Sequence, residues 1–388
     1  MQLSVIILNY NVRYFLELCV LSVQKAIQNL DAEIIVIDNN SSDDSCAMMK
    51  QLFPKVKLIE NKENSGFPKG NNIAVKEAKG EYICILNPDT VVAEDTFEKI
   101  LAFASSRAQS RDDLGIVGCK LIDGTGNFLP ESKRGIPTPW VAFTKIFGLY
   151  KIFPKSALFN KYYAQHLDEN QTGKVDILVG AFMVMKRELY NQLGGFDENC
   201  FMYADDIDLS YRALLLHKQN YYFHETTVIH YKGESTVKDG TYMKRFQEAM
   251  NFFYKKHFKG SVFFSLFMKI GIVFFSVVKM FQGKTKTNNQ INQYILISDN
   301  DATRVQLENK LQENVEIIAL DERKIVFSQS VKKTEIILDT NYLDFKSAIN
   351  FIEANRNESF TFKLIPMQSN FIIGSNSSND RGMFTLFN

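Results

Sequence analysis

Short β-branched runs alternate with stretches of helical period along the first ninety or so residues. Leu3–Leu8, Glu33–Asp38, Val56–Glu60 and Glu81–Asn87 read as strands. Tyr14–Gln28, Asp43–Phe53 and Gly70–Lys79 read as the helices between them. Such alternation predicts an α/β unit whose strands pair in parallel through right-handed crossovers. Ligands of such sheets bind beyond the carboxyl ends of the strands. Asn9, Asp38 and Asp89 fall at or just past those ends.

A second set of elements follows, with strands at Gly115–Ile122, Val175–Lys186 and Tyr221–His230 and helices at Asp206–Leu216 and Thr241–His257. Between them, Thr138–Tyr163 is rich in aromatics and lysine and is interrupted by Pro139 and Pro154. It predicts an inserted lid or amphipathic segment over about 137–165. Val262–Phe281 is the most apolar run, close to the ~20 residues that a membrane span needs. Lys269 near its middle and lysines on both flanks fit a helix lying in a membrane interface better than a span. A buried amphipathic helix is the other reading. Lys284–Gln293 reads as a polar linker. Strands at Tyr294–Ser298, Val315–Leu320, Glu335–Asp339 and Ser369–Ile373, with helices at Thr303–Gln312 and Phe345–Asn355, predict a small α/β domain after it. The expected division is therefore 1–258, 259–283, 284–293 and 294–388. The turn Ser298-Asp299-Asn300-Asp301-Ala302 lacks the glycines of a pyrophosphate-binding turn, so no dinucleotide site is expected there.

Composition narrows the class. The 388 residues are 45% apolar and 23% charged, as in ordinary globular proteins. A net charge of +1 excludes a general nucleic-acid binder, which needs a basic excess. Five cysteines without a C-x-x-C pair disfavour a disulfide framework or a zinc site and fit a reducing compartment. Val5–Leu8 is too short for a signal sequence and lacks a basic stretch before it, which predicts a cytoplasmic location.

Two acidic clusters carry the chemistry. Leu86-Asn87-Pro88-Asp89-Thr90 follows a strand; a hard divalent cation on Asp89 would offset the charge of a leaving diphosphate. Tyr203-Ala204-Asp205-Asp206-Ile207-Asp208 opens a helix behind Phe196, Phe201 and Met202. A carboxylate partly desolvated there suits a base that accepts a hydroxyl proton, although acids at a helix start also serve as caps. Asp208 reads as a brace acting through Arg212 one turn later. Asp38 can accept from a nucleotide base or ribose, while Asp43 reads as a helix cap. Asn64, Gly66 and Asn71 lie in a glycine-containing loop before a helix, a place for phosphate. His230 ends a strand, where a metal or phosphate ligand and a structural residue are both open readings. The other four histidines have no such context.

This ordered set resembles a family 2 glycosyltransferase of the GT-A fold, in the branch of bacterial rhamnosyltransferases. The resemblance covers roughly residues 3–260. It rests on Ser4–Asn11, Val36–Asp43, Asn64–Asn72, Leu86–Asp89, Gly180–Met183, Gly194–Glu198, Asp205–Leu209, and His230 with Gly233 and Ser235. It implies a Rossmann-like mixed sheet flanked by helices, and inverting transfer of a hexose from a nucleotide-sugar donor, with L-rhamnose from a dTDP donor the leading choice and a UDP donor the other. By the same resemblance Asp38 contacts the donor's base, with Asn9, Asn64, Gly66, Asn71 and Asn87 around the donor. Asp89 and His230 hold Mg²⁺ or Mn²⁺, and Asp206 is the catalytic base. Asp205 stands where the family has Glu, which leaves the choice of base between the two. The implied acceptor is a glycan or a polyprenyl-diphosphate-linked sugar at the cytoplasmic face of the inner membrane, in cell-surface polysaccharide synthesis. Peripheral membrane contact and an assembly partner for the C-terminal domain follow as expectations. The rival classes are a nucleotidyltransferase, disfavoured because Asn9-Tyr10-Asn11-Val12-Arg13 is no Gly/Arg-rich loop, and a non-catalytic nucleotide-sugar-binding scaffold.

Overall fold

The computed structural model describes residues 1–110, 113–153, 156, 158–232, 240–258, 291–319, 333–376 and 382–387. The apolar run Val262–Phe281 lies outside the described residues. Among those described, no helix is long and apolar enough to cross a membrane.

The first half alternates as the pattern predicts: β1 (Leu3–Asn9), α1 (Arg13–Ala26), β2 (Ala32–Asp38), α2 (Ser45–Leu52), β3 (Lys57–Glu60), α3 (Gly66–Lys76) and β4 (Tyr82–Leu86). β1 pairs in parallel with both β2 and β4 and is buried along its whole length. That explains a near-continuous apolar run in place of alternation. Its one hydroxyl near the start, Ser4, is satisfied inside: Oγ donates to Glu33 (2.7 Å) and accepts from the Gly80 N–H (2.8 Å). α3 begins at Gly66, four residues before the expected start. Pro68 falls in its first turn, where a missing N–H costs nothing, so the loop's second half is helix.

The second half contains β5 (Thr90–Val91), α4 (Thr96–Ser110), β6 (Leu114–Ile122), α5 (Pro139–Ile146), α6 (Leu149–Ile152), β7 (Gly173–Val175), β8 (Phe182–Lys186), α7 (Arg187–Gln192), α8 (Asp205–Leu215), β9 (Gln219–His230) and α9 (Gly240–His257). The single strand expected over Val175–Lys186 is two. β7 pairs with β9, and β8 pairs with β4 and β6. The residues between leave the ladder because their polar groups are used elsewhere. Asp176 accepts the Ile136 N–H, Ile177 bridges to Arg134, and the Gly180 N–H points at Asp206. The strand order is β3-β2-β1-β4-β8-β6-β9-β5, with β7 beside β9. β1, β2, β4, β6 and β9 run the same way, so Asn9, Asp38, Asn87 and His230 end on one edge. Apolar clusters fill both faces: Val5, Ile7 and Val36 on one, Ile6, Ile35 and Ile37 on the other.

A second sheet follows with β10 (Gln293–Ile297), α10 (Asp301–Leu311), β11 (Val315–Ile318), β12 (Thr334–Asp339), α11 (Phe345–Ala354), β13 (Phe360–Ile365), β14 (Phe371–Gly374) and β15 (Met383–Leu386), in the order β11-β10-β12-β13-β14-β15. β13 and β15 are additions to the expected set. The two sheets share a hydrophobic cluster that joins Val91, Ile122, Ile229 and Tyr231 to Leu338, Phe345, Ile349 and Phe362.

Candidate active site

At the β1–β2 edge, Asn9 and Asp38 stand side by side in register. Asp38 is 2% exposed, and both of its oxygens are engaged. Oδ1 accepts from Asn9 Nδ2 (2.7 Å) and Ser41 Oγ (2.6 Å), and Oδ2 accepts the Ser41 N–H (2.8 Å). This orients the Asn9 amide, whose buried Oδ1 has no donor among the described residues. Asn71 offers a second such oxygen: its Nδ2 donates to the Phe67 carbonyl (2.9 Å), while Oδ1 is buried without a partner among the described residues. Asn64 Oδ1 accepts the Gly66 N–H (3.1 Å). Gly66 has φ +81, and a Cβ there would meet the Phe201 ring at 2.8 Å, so glycine alone fits this turn. Asp43 does cap helices: it accepts the Ser45 N–H at the start of α2 and the Arg13 N–H at the start of α1.

At the β4–β9 edge, Asp89 and His230 are both buried, and Nε2 of His230 lies 3.5 Å from Asp89 Oδ1. The Asn87 amide is 3.3 Å from the same nitrogen. His230 Nδ1 is buried with no partner among the described residues. Neighbouring ligands of an octahedral Mg²⁺ at ~2.1 Å are themselves about 3 Å apart. An oxygen and an imidazole nitrogen that converge at 3.5 Å therefore suit one hard cation. Among the described residues no third His, Cys, Asp or Glu joins them, which leaves positions for phosphate and water. Next in the chain, Lys232 pairs with Glu131. Burial pushes the Glu131 carboxyl up, but Lys232 and His230 outweigh it and hold it below the ordinary range.

The second acidic cluster opens α8. Asp206 Oδ2 accepts from Arg134 Nη2 (2.6 Å) and from the Gly180 N–H (3.0 Å). Arg134 also donates to the Leu178 carbonyl (2.8 Å). Burial lowers the proton affinity of its guanidinium, and Asp206 more than restores it. Asp205 has no ion pair among the described residues: burial, then the charge of Asp206, lifts its carboxyl from 3.8 to about 7 against a smaller pull from Arg134. Gly180 makes room for the pair, since a Cβ there would lie 3.4 Å from the Asp206 Cβ and 3.6 Å from Asp205 Oδ2. Asp208 is fully buried and accepts from Arg212 Nε (2.7 Å), Lys256 Nζ (2.8 Å) and His257 Nε2 (2.6 Å). It ties α8 to α9, and His257, which has no visible context in the sequence, is one of its partners.

Short chains of contact link the two clusters. The Asn87 N–H donates to the Ala181 carbonyl (3.0 Å), and Gly180, one residue earlier, holds Asp206. On the other side Glu131 feels His230, and Arg134 feels both Glu131 and Asp206. Tyr162, from the segment after α6, joins them. Burial raises its hydroxyl, and Lys145, with Nζ 3.7 Å from the ring centre, and Arg134 bring it down below its usual value. Arg134 was not singled out by sequence reading, whereas Lys145 and Tyr162 belong to the aromatic- and lysine-rich stretch read as an inserted lid.

A mixed sheet whose strand ends gather Asn9, Asp38, Asp89 and His230 beside a buried acidic pair is an arrangement suited to group transfer. Residues 4–194, just under half of the chain, match the model described as Glycosyl transferase family 2, which places this unit in that family. Among curated relatives, the chain is 24% identical over 217 residues to the N-acetylglucosaminyl-diphospho-decaprenol L-rhamnosyltransferase of Mycobacterium tuberculosis, covering 53% of this chain and 68% of the relative. It is 27% identical over 226 residues to rhamnosyltransferase WbbL of Escherichia coli, covering 54% and 78%. Among solved structures it is similar to the mannosyltransferase PcManGT of Pyrobaculum calidifontis in complex with GDP-Man and Mn²⁺, at 19% identity, TM-score 0.45, and 67% and 65% coverage.

Proposed function

We propose that this protein is an inverting glycosyltransferase that moves a hexose from a nucleoside-diphosphate donor to a hydroxyl of a glycan or polyprenyl-diphosphate-linked acceptor in cell-surface polysaccharide synthesis. L-Rhamnose from a dTDP donor is the favoured sugar, supported by the rhamnosyltransferase names of the two relatives. The observation that carries the chemistry is the unequal carboxyl pair: Asp206 tied to Arg134, and Asp205 lifted to about 7 beside it. Two carboxyls held in such unequal environments can divide acid and base work between them.

The base of the donor meets Asn9, which Asp38 orients, and the open oxygens of Asn9 and Asn71 accept its N–H or hydroxyl groups. Asn64 and Gly66 shape the loop beside them. Asp89 and His230 would hold a divalent cation, Mg²⁺ or Mn²⁺, which when bound supplies charge for the leaving diphosphate. The acceptor hydroxyl gives its proton to the Asp205–Asp206 pair as its oxygen attacks the anomeric carbon, and the C–O bond to the diphosphate breaks. Arg134 keeps Asp206 in place throughout, and Arg212 and Asp208 hold the helix that carries the pair.

A panel of dTDP-, UDP- and GDP-sugars, assayed for nucleoside diphosphate release with and without added Mg²⁺ or Mn²⁺, tests this reading. The expected result is metal-dependent release, greatest with dTDP-rhamnose plus acceptor, lost in Asp89→Asn and reduced at least a hundredfold in Asp206→Asn. Pyrophosphate release from a nucleoside triphosphate would instead identify a nucleotidyltransferase. Tight donor binding with no release under any condition would leave a scaffold.

A further inference from the structure

No Asp or Glu occurs between Glu131 and Asp168, a stretch that holds Lys133, Arg134, Lys145, Lys151, Lys155 and Lys161. Three of these cations are spent inside the molecule. Lys133 donates to the carbonyls of Tyr163, Ala164 and Leu167, Arg134 pairs with Asp206, and Lys145 covers Tyr162. Lys151 and Lys161 face outward, and neither pairs with a carboxylate among the described residues. Around them the same segment exposes large apolar side chains: Trp140 (44%), Ile152 (65%), Phe153 (49%) and Leu158 (56%). These form one patch. Trp140 Nε1 donates to the Leu158 carbonyl (3.0 Å), and Phe159 touches both Trp140 (5.9 Å between ring centres) and Phe153 (5.3 Å). With its N–H already used, Trp140 presents an apolar ring.

We infer that the outer face of this insertion docks on an anionic lipid bilayer. Clustered aromatic and aliphatic side chains beside lysines, with acids excluded, is the composition that partitions into the headgroup boundary, the lysines meeting lipid phosphates. An acidic protein partner would need the cations but would leave the apolar patch exposed. A neutral apolar partner would leave the lysines without counter-charge. The inner face of the same insertion carries Lys145 and Tyr162 against Arg134 and Asp206, so the bilayer would lie on the far side of the segment that walls the acidic pair. The docking does not depend on the glycosyl-transfer reading and is measured without donor or turnover.

The chain has a single tryptophan, Trp140, which makes the full-length protein its own reporter. Vesicles of equal parts phosphatidylcholine and phosphatidylglycerol should shift its emission to shorter wavelength, and lipids with a shallow spin-label quencher should quench it. Vesicles of phosphatidylcholine alone should do so much less. Phe153→Ser and Leu158→Ser should each weaken the partition roughly tenfold, the worth of one buried side chain of this size. Lys151→Glu with Lys161→Glu should abolish the preference for the anionic lipid. Co-sedimentation with unchanged Trp140 emission would overturn the proposal, because another segment would then be the anchor. Emission already shifted and shielded from acrylamide without lipid would overturn it too, because the chain itself would then cover the patch.

Discussion

Residue by residue, the acids of this site divide by what neutralises them. Among the described residues Asp208 meets Arg212, Lys256 and His257, Asp206 pairs with Arg134, and Asp205 has no ion pair and feels Arg134 only weakly. Asp205 therefore keeps a proton up to about pH 7 in the folded chain, whereas an unfolded chain releases it near 4. The folded state binds the extra proton between those values, so wild-type stability falls as pH rises through that window and is flat above it. Asp205→Asn has no such proton to lose. It should match the wild type in thermal melting near pH 4 and exceed it by several °C at pH 8, the cost of the buried charge being about 1.4 kcal/mol for each pH interval crossed. If Asp205 takes the acceptor's proton, kcat/KM should fall tenfold per pH interval below 7, and a flat profile down to pH 5 would place the base elsewhere. Arg134→Met removes the one cation that pairs with Asp206 among the described residues and should cost about 3–5 kcal/mol in denaturant unfolding, because a buried carboxylate is left uncompensated. Asp89, Asp206 and His230 stand out as candidates because strand ends and helix starts are local signals. Arg134 does not: it acts through the bridge to Ile177, a contact no spacing in Ser132-Lys133-Arg134-Gly135 announces.

Among the elements, those of the parallel half were readable because β1, β2 and β4 are buried on both faces and hence unbroken apolar runs. The failures share a cause, since non-local hydrogen bonds overrode local pattern. Val175–Lys186 looks continuous, yet its middle six residues give up strand pairing to reach Ile136, Arg134 and Asp206. α3 starts early for the converse reason, a proline that the first helical turn tolerates. Gly66, the first residue of α3, is the sharpest test of that local geometry. Gly66→Ala places a Cβ in the left-handed region and within 2.9 Å of the Phe201 carbonyl, which also accepts the Phe67 N–H. Conformational strain alone costs about 1–2 kcal/mol. Chemical denaturation should show at least that loss. The KM for the donor should rise more than kcat falls, because the displaced loop carries Asn64 while the acidic pair is untouched.

On the scale of the whole molecule, the second sheet is anchored on the edge that carries the cation-suited pair. Tyr231, adjacent to His230, and Val91, two residues past Asp89, lie in the cluster shared with α11 and β12–β14. Polar contacts fix the same seam. Glu94 accepts the Phe345 and Lys346 N–H groups at the start of α11, and Lys346 pairs with Asp95 (2.7 Å). Lys120 on β6, only 3% exposed, reaches Glu353 on α11 at 2.5 Å, and Glu353 also accepts from Thr227 on β9. The sequence showed that a second sheet exists but not where it sits, since a buried Lys and a partly exposed Glu 233 residues apart carry no local mark. Because the seam is both apolar and ionic, the two sheets should unfold in one transition rather than two. Glu353→Ala leaves Lys120 with Asn170 and a distant Glu169 at 4.0 Å, and should cost about 3 kcal/mol. Glu353→Gln, which keeps an acceptor, should cost less. The double change Lys120→Met with Glu353→Leu should recover most of the loss, because an apolar pair of similar volume removes the desolvation cost of both charges. A double variant no more stable than Glu353→Ala would show that the pair is held by geometry that an apolar pair cannot replace. Donor turnover measured on the same three variants reports whether the seam also sets the position of His230, since a purely structural seam would leave kcat unchanged in every variant that remains folded.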